Sequence, residues 1–236
     1  MVTSHEATQV FDRHEAIEVV RGPRPVVKYV VEAIGTFFLV FTVGAAAGSG
    51  SPFAPLGIGA VLMVMIYAGG HLSGGHYNPA VTLAALVRRR IGLRDAVAYW
   101  IVQFGAGLFA AVVVRTVVDP TRATAATMRL SGHTLLAAFV VELLFTFALC
   151  YVVLNVATSN HHRDNSFYGL AIGFTVVAGA FAVGAISGGA FNPAVTLGAA
   201  VMGMFALPTL WVYLVAQALA GIAAGVTFLV LNPDDK

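Results

Sequence analysis

An Asn-Pro-Ala motif that occurs twice, beginning at Asn78 and at Asn192, is the feature of this chain best suited to bind a small molecule. Asn is among the best helix N-caps and Pro is preferred at the first helical position, so each motif predicts a helix start. The asparagine amides there offer N–H donors to a passing acceptor, while helix N-termini disfavour protons and other cations. The motif residues are Asn78, Pro79 and Ala80 in the first copy and Asn192, Pro193 and Ala194 in the second.

A single Asn-Pro pair is weak evidence, because it often begins a turn or a helix. Here the two motifs stand in frames of eleven residues, SGGHYNPAVTL from Ser73 and SGGAFNPAVTL from Ser187, that agree at nine positions. The frames are 114 residues apart. The sequence therefore contains an internal repeat centred on the motif.

Other polar residues of the apolar sequence repeat as well, namely Glu32 with Glu142 and Gln103 with Gln217. An ionisable residue inside a membrane span is a functional candidate by default. We interpret the glutamates as structural braces that accept hydrogen bonds from backbone N–H groups, with a proton or ion pathway as the alternative. The glutamines are given the same brace interpretation.

Two histidines, His71 and His76, occur in the first copy only. We expect His76 to line a cytoplasmic mouth, and both are candidates for a gate that responds to protonation. The pair at His161 is interpreted as solvated loop residues rather than a metal site.

Cys150 is the single cysteine, so the chain has no disulfide framework and no Cys-based metal site. We expect neither a metal nor a cofactor.

The elements that position these residues must be membrane helices. Hydrophobic residues make up 58% of the 236 residues and charged residues 10%, against roughly 45–50% and about 25% in soluble domains. Residues 33–87 and 165–233, which are 55 and 69 residues long, contain no Asp, Glu, Lys or Arg. This composition predicts a polytopic membrane protein, and the scattered basic residues give no support to nucleic-acid binding.

Charges and turn residues divide the sequence into six predicted spans. Two further apolar segments, 71–88 and 185–203, are too short to span and are interrupted by Ser-Gly-Gly and Asn-Pro. Non-helical backbone at membrane depth is tolerated only inside protein or beside a watery cavity, so these half-membrane hairpins indicate a channel or transporter. The predicted spans are 27–49, 56–70, 94–115, 133–156, 166–184 and 208–231.

Each half of the chain has three spans, so the second half must enter the membrane from the opposite side. We predict an inverted repeat, with repeat one at about 27–115, repeat two at about 133–231, and a polar cytoplasmic tail at 1–26. The positive-inside rule favours cytoplasmic termini. Ten basic residues then lie inside (Arg13, Arg21, Arg24, Lys28, Arg88, Arg89, Arg90, Arg94, Arg163 and Lys236) and three outside (Arg115, Arg122 and Arg129).

Over residues 27–232 the sequence resembles the aquaporin, or major intrinsic protein, family. The resemblance implies an all-α integral membrane protein, with six transmembrane helices and two half-helices in a right-handed bundle. It also implies a passive, proton-excluding channel in a plasma or inner membrane, with one pore per subunit and a homotetrameric assembly. In that family the paired asparagines, here Asn78 and Asn192, orient the permeating molecule. The buried glutamates, here Glu32 and Glu142, brace the hairpins.

The chain departs from the family at the selectivity filter. Most members carry an arginine where this chain has Val195, and counting from the motifs places Ile58, Ala180 and Gly189 at the other filter positions. We expect a wider, apolar filter that passes glycerol, urea, ammonia, hydrogen peroxide or dissolved gas. An apolar ring can also hinder water by dewetting. Thr196 stands where glycerol-conducting members usually place an Asp, which resembles water channels.

Three other classes of membrane protein fit the sequence less well than a channel. An intramembrane enzyme would need paired acids, a Ser-His-Asp set or metal-ligand spacing, and the sequence offers none of these. An ion-coupled transporter is hard to reconcile with the uncharged second half. A non-conducting membrane scaffold and a strictly water-selective channel remain as alternatives.

Overall fold

The computed structural model describes residues 24–120, 127–162 and 164–235. Most of the expected tail, together with Arg122, Arg163 and Lys236, lies outside these ranges. The described residues form eight α-helices and no β-strand, apart from one bridge between Met128 and Phe205. The helices are α1 (Pro25–Gly48), α2 (Ala54–Ser73), α3 (Pro79–Val87), α4 (Leu93–Val113), α5 (Gly132–Val153), α6 (Tyr168–Ser187), α7 (Pro193–Val201) and α8 (Leu210–Leu231).

Six helical segments of 20 to 27 residues are long and apolar enough to cross a bilayer. Short π-helical turns extend α4 to Val118 and α5 to Thr158, and a 3-10 turn from Leu207 precedes α8. The predicted six-span architecture is confirmed, and the predicted ends lie within three residues of the observed ones. The largest differences lie at the ends of α2, α4 and α6, where apolar composition does not mark the last turn.

The two remaining helices, α3 and α7, are nine residues long, which is roughly 14 Å at 1.5 Å per residue. A bilayer core is about 30 Å thick, so each covers about half of it. Both begin with Pro, at Pro79 and Pro193, behind an asparagine N-cap. These are the two half-helices.

Glycines allow helices of the two repeats to approach closely, and some of these contacts are reciprocal. A Cβ added at Gly59 of α2 would lie 2.6 Å from the carbonyl oxygen of Gly173 in α6, and one at Gly173 would lie 2.5 Å from that of Gly59. Gly221 of α8 packs likewise on the carbonyl oxygen of Ala80, at the start of α3. Because these contacts are to backbone, any larger side chain would force the helices apart.

The outer surface of the bundle is apolar. Ile101 and Phe109 on α4 and Val230 on α8 are 67%, 62% and 71% exposed. A soluble domain buries such side chains, whereas a membrane protein presents them to lipid.

A buried ion pair fastens the end of α3 to the segment that follows α8. Arg88 Nη2 lies 2.8 Å from Asp235 Oδ1, and both side chains are almost fully buried. The guanidinium stacks over Phe228, 4.1 Å from the ring centroid. Asp235 Oδ2 accepts hydrogen bonds from Ser159 Oγ (2.7 Å) and Asn160 N (2.9 Å). Burial opposes ionisation of Asp235, but these bonds and the charge of Arg88 outweigh it and lower the pKa of Asp235.

Candidate functional site

Two backbone hairpins, Gly74–Tyr77 between α2 and α3 and Gly188–Phe191 between α6 and α7, hold the Asn-Pro-Ala motifs. Their first glycines have φ of 91° and 86° and end the preceding helices in a left-handed conformation. Tyr77 and Phe191 also have positive φ, at 46° and 48°. Left-handed backbone is unfavourable for these side chains, so the surrounding hydrogen bonds must hold it in place.

Glu32 holds the first hairpin. Its Oε1 accepts hydrogen bonds from Ser73 Oγ (2.7 Å) and His76 N (2.9 Å). Its Oε2 accepts from Tyr77 N (2.7 Å) and Gln103 Nε2 (2.9 Å). The carboxylate therefore satisfies two backbone N–H groups that the turn leaves without helical partners.

Glu142 makes the same set of bonds to the second hairpin. Its Oε1 accepts from Ser187 Oγ (2.7 Å) and Ala190 N (2.9 Å). Its Oε2 accepts from Phe191 N (2.8 Å) and Gln217 Nε2 (2.9 Å). Each distance agrees within 0.1 Å with its counterpart around Glu32. The structure thus pairs Glu32 with Gln103 and Glu142 with Gln217, in two separate networks of the same design.

Two tyrosines that the sequence analysis did not single out complete these networks. Tyr99 Oη donates to the carbonyl oxygen of Ser73 at 2.6 Å, and Tyr213 Oη donates to that of Ser187 at 2.7 Å. The tyrosines are 114 residues apart, which is the spacing of the motif frames. Searching the whole sequence at this spacing would have found them.

The asparagines link the two half-helices to one another. Asn78 Oδ1 and Asn192 Oδ1 each accept from the N–H two residues ahead, at 2.8 and 2.9 Å. Asn78 Nδ2 donates to the carbonyl oxygen of Phe191, and Asn192 Nδ2 donates to that of Tyr77, both at 2.9 Å. Each amide nitrogen carries two hydrogens, so one on each side chain remains to donate to a third group.

A narrow cavity of about 20 Å³ runs past both asparagines. Its sixteen lining residues form eight pairs, each made of equivalent positions in the two repeats. The pairs are Leu39 with Leu149, Val43 with Val153, Ile58 with Ile172, Leu62 with Val176, Gly75 with Gly189, His76 with Ala190, Asn78 with Asn192, and Val81 with Val195.

Three of the four predicted filter positions, Ile58, Gly189 and Val195, line this cavity. Ala180 is not among the lining residues, but it lies behind the hairpin, and a Cβ added at Gly189 would be 3.4 Å from its Cα. None of the four side chains can donate or accept a hydrogen bond. This part of the wall offers a solute only apolar surface and backbone.

The structure separates the two candidate gate histidines. His76 lines the central cavity and also an adjoining cavity of about 280 Å³ that is lined by Lys28 and Asp95 as well. His71 is exposed and lines a third cavity, of about 250 Å³, and it is not among the residues that line the central one. Of the two histidines, therefore, only His76 lines the central cavity.

The profile of the major intrinsic protein family matches residues 19–228 of this chain. The chain is 38% identical over 215 residues to glycerol uptake facilitator protein-like 6 of Lactiplantibacillus plantarum, covering 88% of this chain and 99% of that protein. It is 36% identical to aquaporin NIP2-1 of rice, Oryza sativa subsp. japonica, over 90% of this chain and 73% of the relative. Nodulin-26 of soybean, Glycine max, is 35% identical over 89% of this chain and 79% of its own length.

Among solved structures, the fold is similar to that of the aquaglyceroporin from Plasmodium falciparum, with a TM-score of 0.74. The match covers 89% of this chain and 98% of that one at 24% sequence identity, so it supports the fold. With six membrane-spanning helices and the family match, the assignment follows. The chain belongs to the major intrinsic protein family, and it is a multi-pass membrane protein that forms a passive channel for water or small solutes and is not an enzyme.

Proposed function

We propose that this channel conducts small neutral solutes together with water, through the cavity between the two half-helices. The observation that carries the proposal is the lining, in which none of the sixteen residues is charged and only Asn78, Asn192 and His76 have polar side chains. An ion would lose its hydration shell there without replacement ligands. A neutral solute loses far less hydration free energy on entering the cavity, because two or three hydrogen bonds are enough to replace those it made with water.

Glycerol is the solute to test first, since the relative from Lactiplantibacillus plantarum is named a glycerol uptake facilitator-like protein. Urea, ammonia, hydrogen peroxide and dissolved gas share the same property of small size without charge. The apolar filter formed by Ile58, Ala180, Gly189 and Val195 supports this breadth, because no side chain there narrows the path with a donor or a charge.

Proton exclusion is proposed for the region of Asn78 and Asn192. Both half-helices begin there, so two positive dipole ends face the same place. The remaining amide hydrogens of the two asparagines donate to the oxygen of a passing water molecule. That water is thereby turned so that its oxygen no longer accepts a hydrogen bond from the neighbouring waters. A chain of water molecules then cannot relay a proton across this point.

The buried glutamates serve in this proposal as braces and not as proton carriers. Glu32 and Glu142 each accept four hydrogen bonds from the hairpin and its neighbours, with Gln103 and Gln217 among the donors. Neither lines the central cavity. His76 is the one candidate gate residue on the path.

We further propose cytoplasmic termini, a location in the plasma or inner membrane, and a homotetramer. The orientation is supported by the basic residues between α3 and α4, namely Arg88, Arg89, Arg90 and Arg94. With this orientation His76 faces the cytoplasmic mouth and Val195 the outer one. The exposed apolar faces of the helices offer surface to lipid or to neighbouring subunits.

Stopped-flow light scattering tests the solute. Proteoliposomes and matched empty liposomes are jumped into excess glycerol, and one trace then reports two permeabilities. We expect fast shrinkage followed by accelerated reswelling. Fast shrinkage without faster reswelling would establish a water-selective channel and contradict the open filter. A trace equal to that of empty liposomes for glycerol, urea and ammonia alike would favour the scaffold alternative.

A further inference from the structure

One of the eight pairs in the cavity wall changes its chemistry between the repeats. Seven pairs match an apolar side chain with an apolar one, Gly with Gly, or Asn with Asn. In the eighth, His76 of the first repeat corresponds to Ala190 of the second. A solute therefore meets the same side-chain chemistry twice along the path, except at His76.

The imidazole of His76 is held in a fixed orientation. Its Nδ1 lies 3.0 Å from Thr82 Oγ1, and its ring meets the edge of Tyr99 at a centroid distance of 5.2 Å. Thr82 is itself fixed, because its Oγ1 accepts a hydrogen bond from Gln103 Nε2 at 3.0 Å. The ring is thus preorganised by the same network that braces the hairpin.

The other ring nitrogen of His76 is available to a solute. Nε2 makes no hydrogen bond within the described part of the chain, and it borders Gly74, whose added Cβ would lie 3.3 Å away. Gly74 and His76 both line the adjoining cavity that also contains Lys28 and Asp95. The Thr82 hydroxyl has three acceptors within reach, namely the carbonyl oxygen of Asn78 at 3.1 Å, Gln103 Oε1 at 3.4 Å and His76 Nδ1 at 3.0 Å. When the Thr82 hydroxyl donates to Nδ1 of the neutral ring, Nε2 carries the ring proton and presents an N–H. When it donates to another acceptor, Nδ1 can carry the proton and Nε2 presents a lone pair.

We propose that His76 is the residue that discriminates among permeating solutes, in favour of hydroxyl- and amide-bearing molecules. The proposal rests on the proposed function, because neutral solutes must cross for His76 to select among them. The filter at Val195 then sets the width of the path, and the histidine at the opposite mouth sets its hydrogen-bonding preference. Water depends less on His76, since water molecules in file bond to one another, whereas a single glycerol has only the wall.

The test measures glycerol, urea and water permeability in proteoliposomes for the wild type, His76→Phe, Thr82→Val and Thr196→Val. His76→Phe keeps a ring beside Tyr99 but removes both nitrogens, so we expect the glycerol-to-water ratio to fall at least about fivefold. Urea should follow glycerol. A ratio within about twofold of the wild type, with glycerol still conducted, overturns this proposal and leaves the proposed function intact.

The two threonine variants form a matched pair that does not depend on His76→Phe folding. Thr82 and Thr196 both donate to the carbonyl oxygen of their asparagine and both accept from a glutamine, at 2.9 to 3.1 Å. Only Thr82 also contacts a histidine. The proposal requires a shift in the solute ratio in Thr82→Val that exceeds the shift in Thr196→Val at least about twofold. Equal shifts overturn it, and no solute flux above empty liposomes in the wild type overturns both proposals.

Discussion

The two repeats agree in the middle of the molecule and differ at its mouths. Around Glu32 and Glu142 the corresponding hydrogen-bond distances match within 0.1 Å. The ring contacts of the two equivalent tyrosines differ. His76 meets the edge of Tyr99, whereas Phe205 stacks on Tyr213 with 4.7 Å between the ring centroids. Another divergent pair is Arg88, which is ion-paired, and its equivalent Met202, which is buried in the apolar core.

The difference separates two requirements. Strained hairpins must be held in both halves, and a carboxylate that accepts two backbone N–H groups meets that need equally well on either side. The mouths face different compartments, and nothing requires them to be alike. The matched brace networks therefore serve the fold, while the departures from symmetry at the mouths are where the two sides of the channel can act differently.

The largest effect is expected from breaking a brace. Glu32→Ala and Glu142→Ala each leave a buried set of hydrogen-bond donors without an acceptor, at about 1–3 kcal/mol per group and a total of about 4 kcal/mol or more. Because the two networks match, the losses should be similar. Thermal unfolding of the purified variants in detergent measures both, and a variant that unfolds like the wild type would show that its brace is dispensable.

Val195→Arg should narrow the filter and lower glycerol permeability about tenfold, because a long charged side chain replaces a small apolar one. Val195→Leu adds volume without charge or donors and serves as the control, with a smaller expected loss. Stopped-flow reswelling in glycerol measures both variants. Unchanged glycerol uptake in Val195→Arg would show that Val195 does not form part of the filter.

A pair of glycine substitutions tests whether equivalent helix contacts in the two repeats are equally close. A Cβ at Gly221 would lie 2.7 Å from the carbonyl oxygen of Ala80, whereas one at the equivalent Gly107 would lie 3.1 Å from that of Ala194. Overpacking costs about 1–3 kcal/mol, so Gly221→Ala should lower the thermal midpoint more than Gly107→Ala. The reverse order would contradict the close contact at Gly221.

The smallest effect concerns pH. The pKa of Asp235 is lowered in the folded protein, so its ionisation stabilises the fold above the ordinary Asp pKa of about 3.9 and this contribution is lost as pH falls further. The thermal midpoint of the wild type should exceed that of Asp235→Asn by a constant amount between about pH 7 and pH 5. The difference should then shrink below about pH 4. A difference that does not change with pH would mean that the charge of Asp235 is unimportant.

The helices could be predicted because membrane spans leave strong sequence signals, and the repeat marked the buried glutamates as residues to examine. Long uncharged stretches marked the six spans, and Asn-Pro marked the starts of α3 and α7. The repeat pointed to Glu32 and Glu142, since a carboxylate placed twice in an apolar sequence has a common cause.

Other parts of the site were not predictable from local pattern. Pore-lining residues such as Leu39 and Leu149 have the same apolar character as their lipid-facing neighbours, and only packing distinguishes them. The ion pair between Arg88 and Asp235 joins positions 147 residues apart without a periodic signal. The separation of His71 from the path depends on where α2 ends, which composition does not give.

The crossed amide bonds of the asparagines have a consequence for biogenesis. The acceptor for Asn78 Nδ2 lies 113 residues further along the chain, in the second hairpin, and Asn192 depends in turn on the first. During synthesis the first three helices enter the membrane before that acceptor exists. The hydrogen bond that Asn78 donates can therefore form only after the second hairpin has been synthesised and inserted.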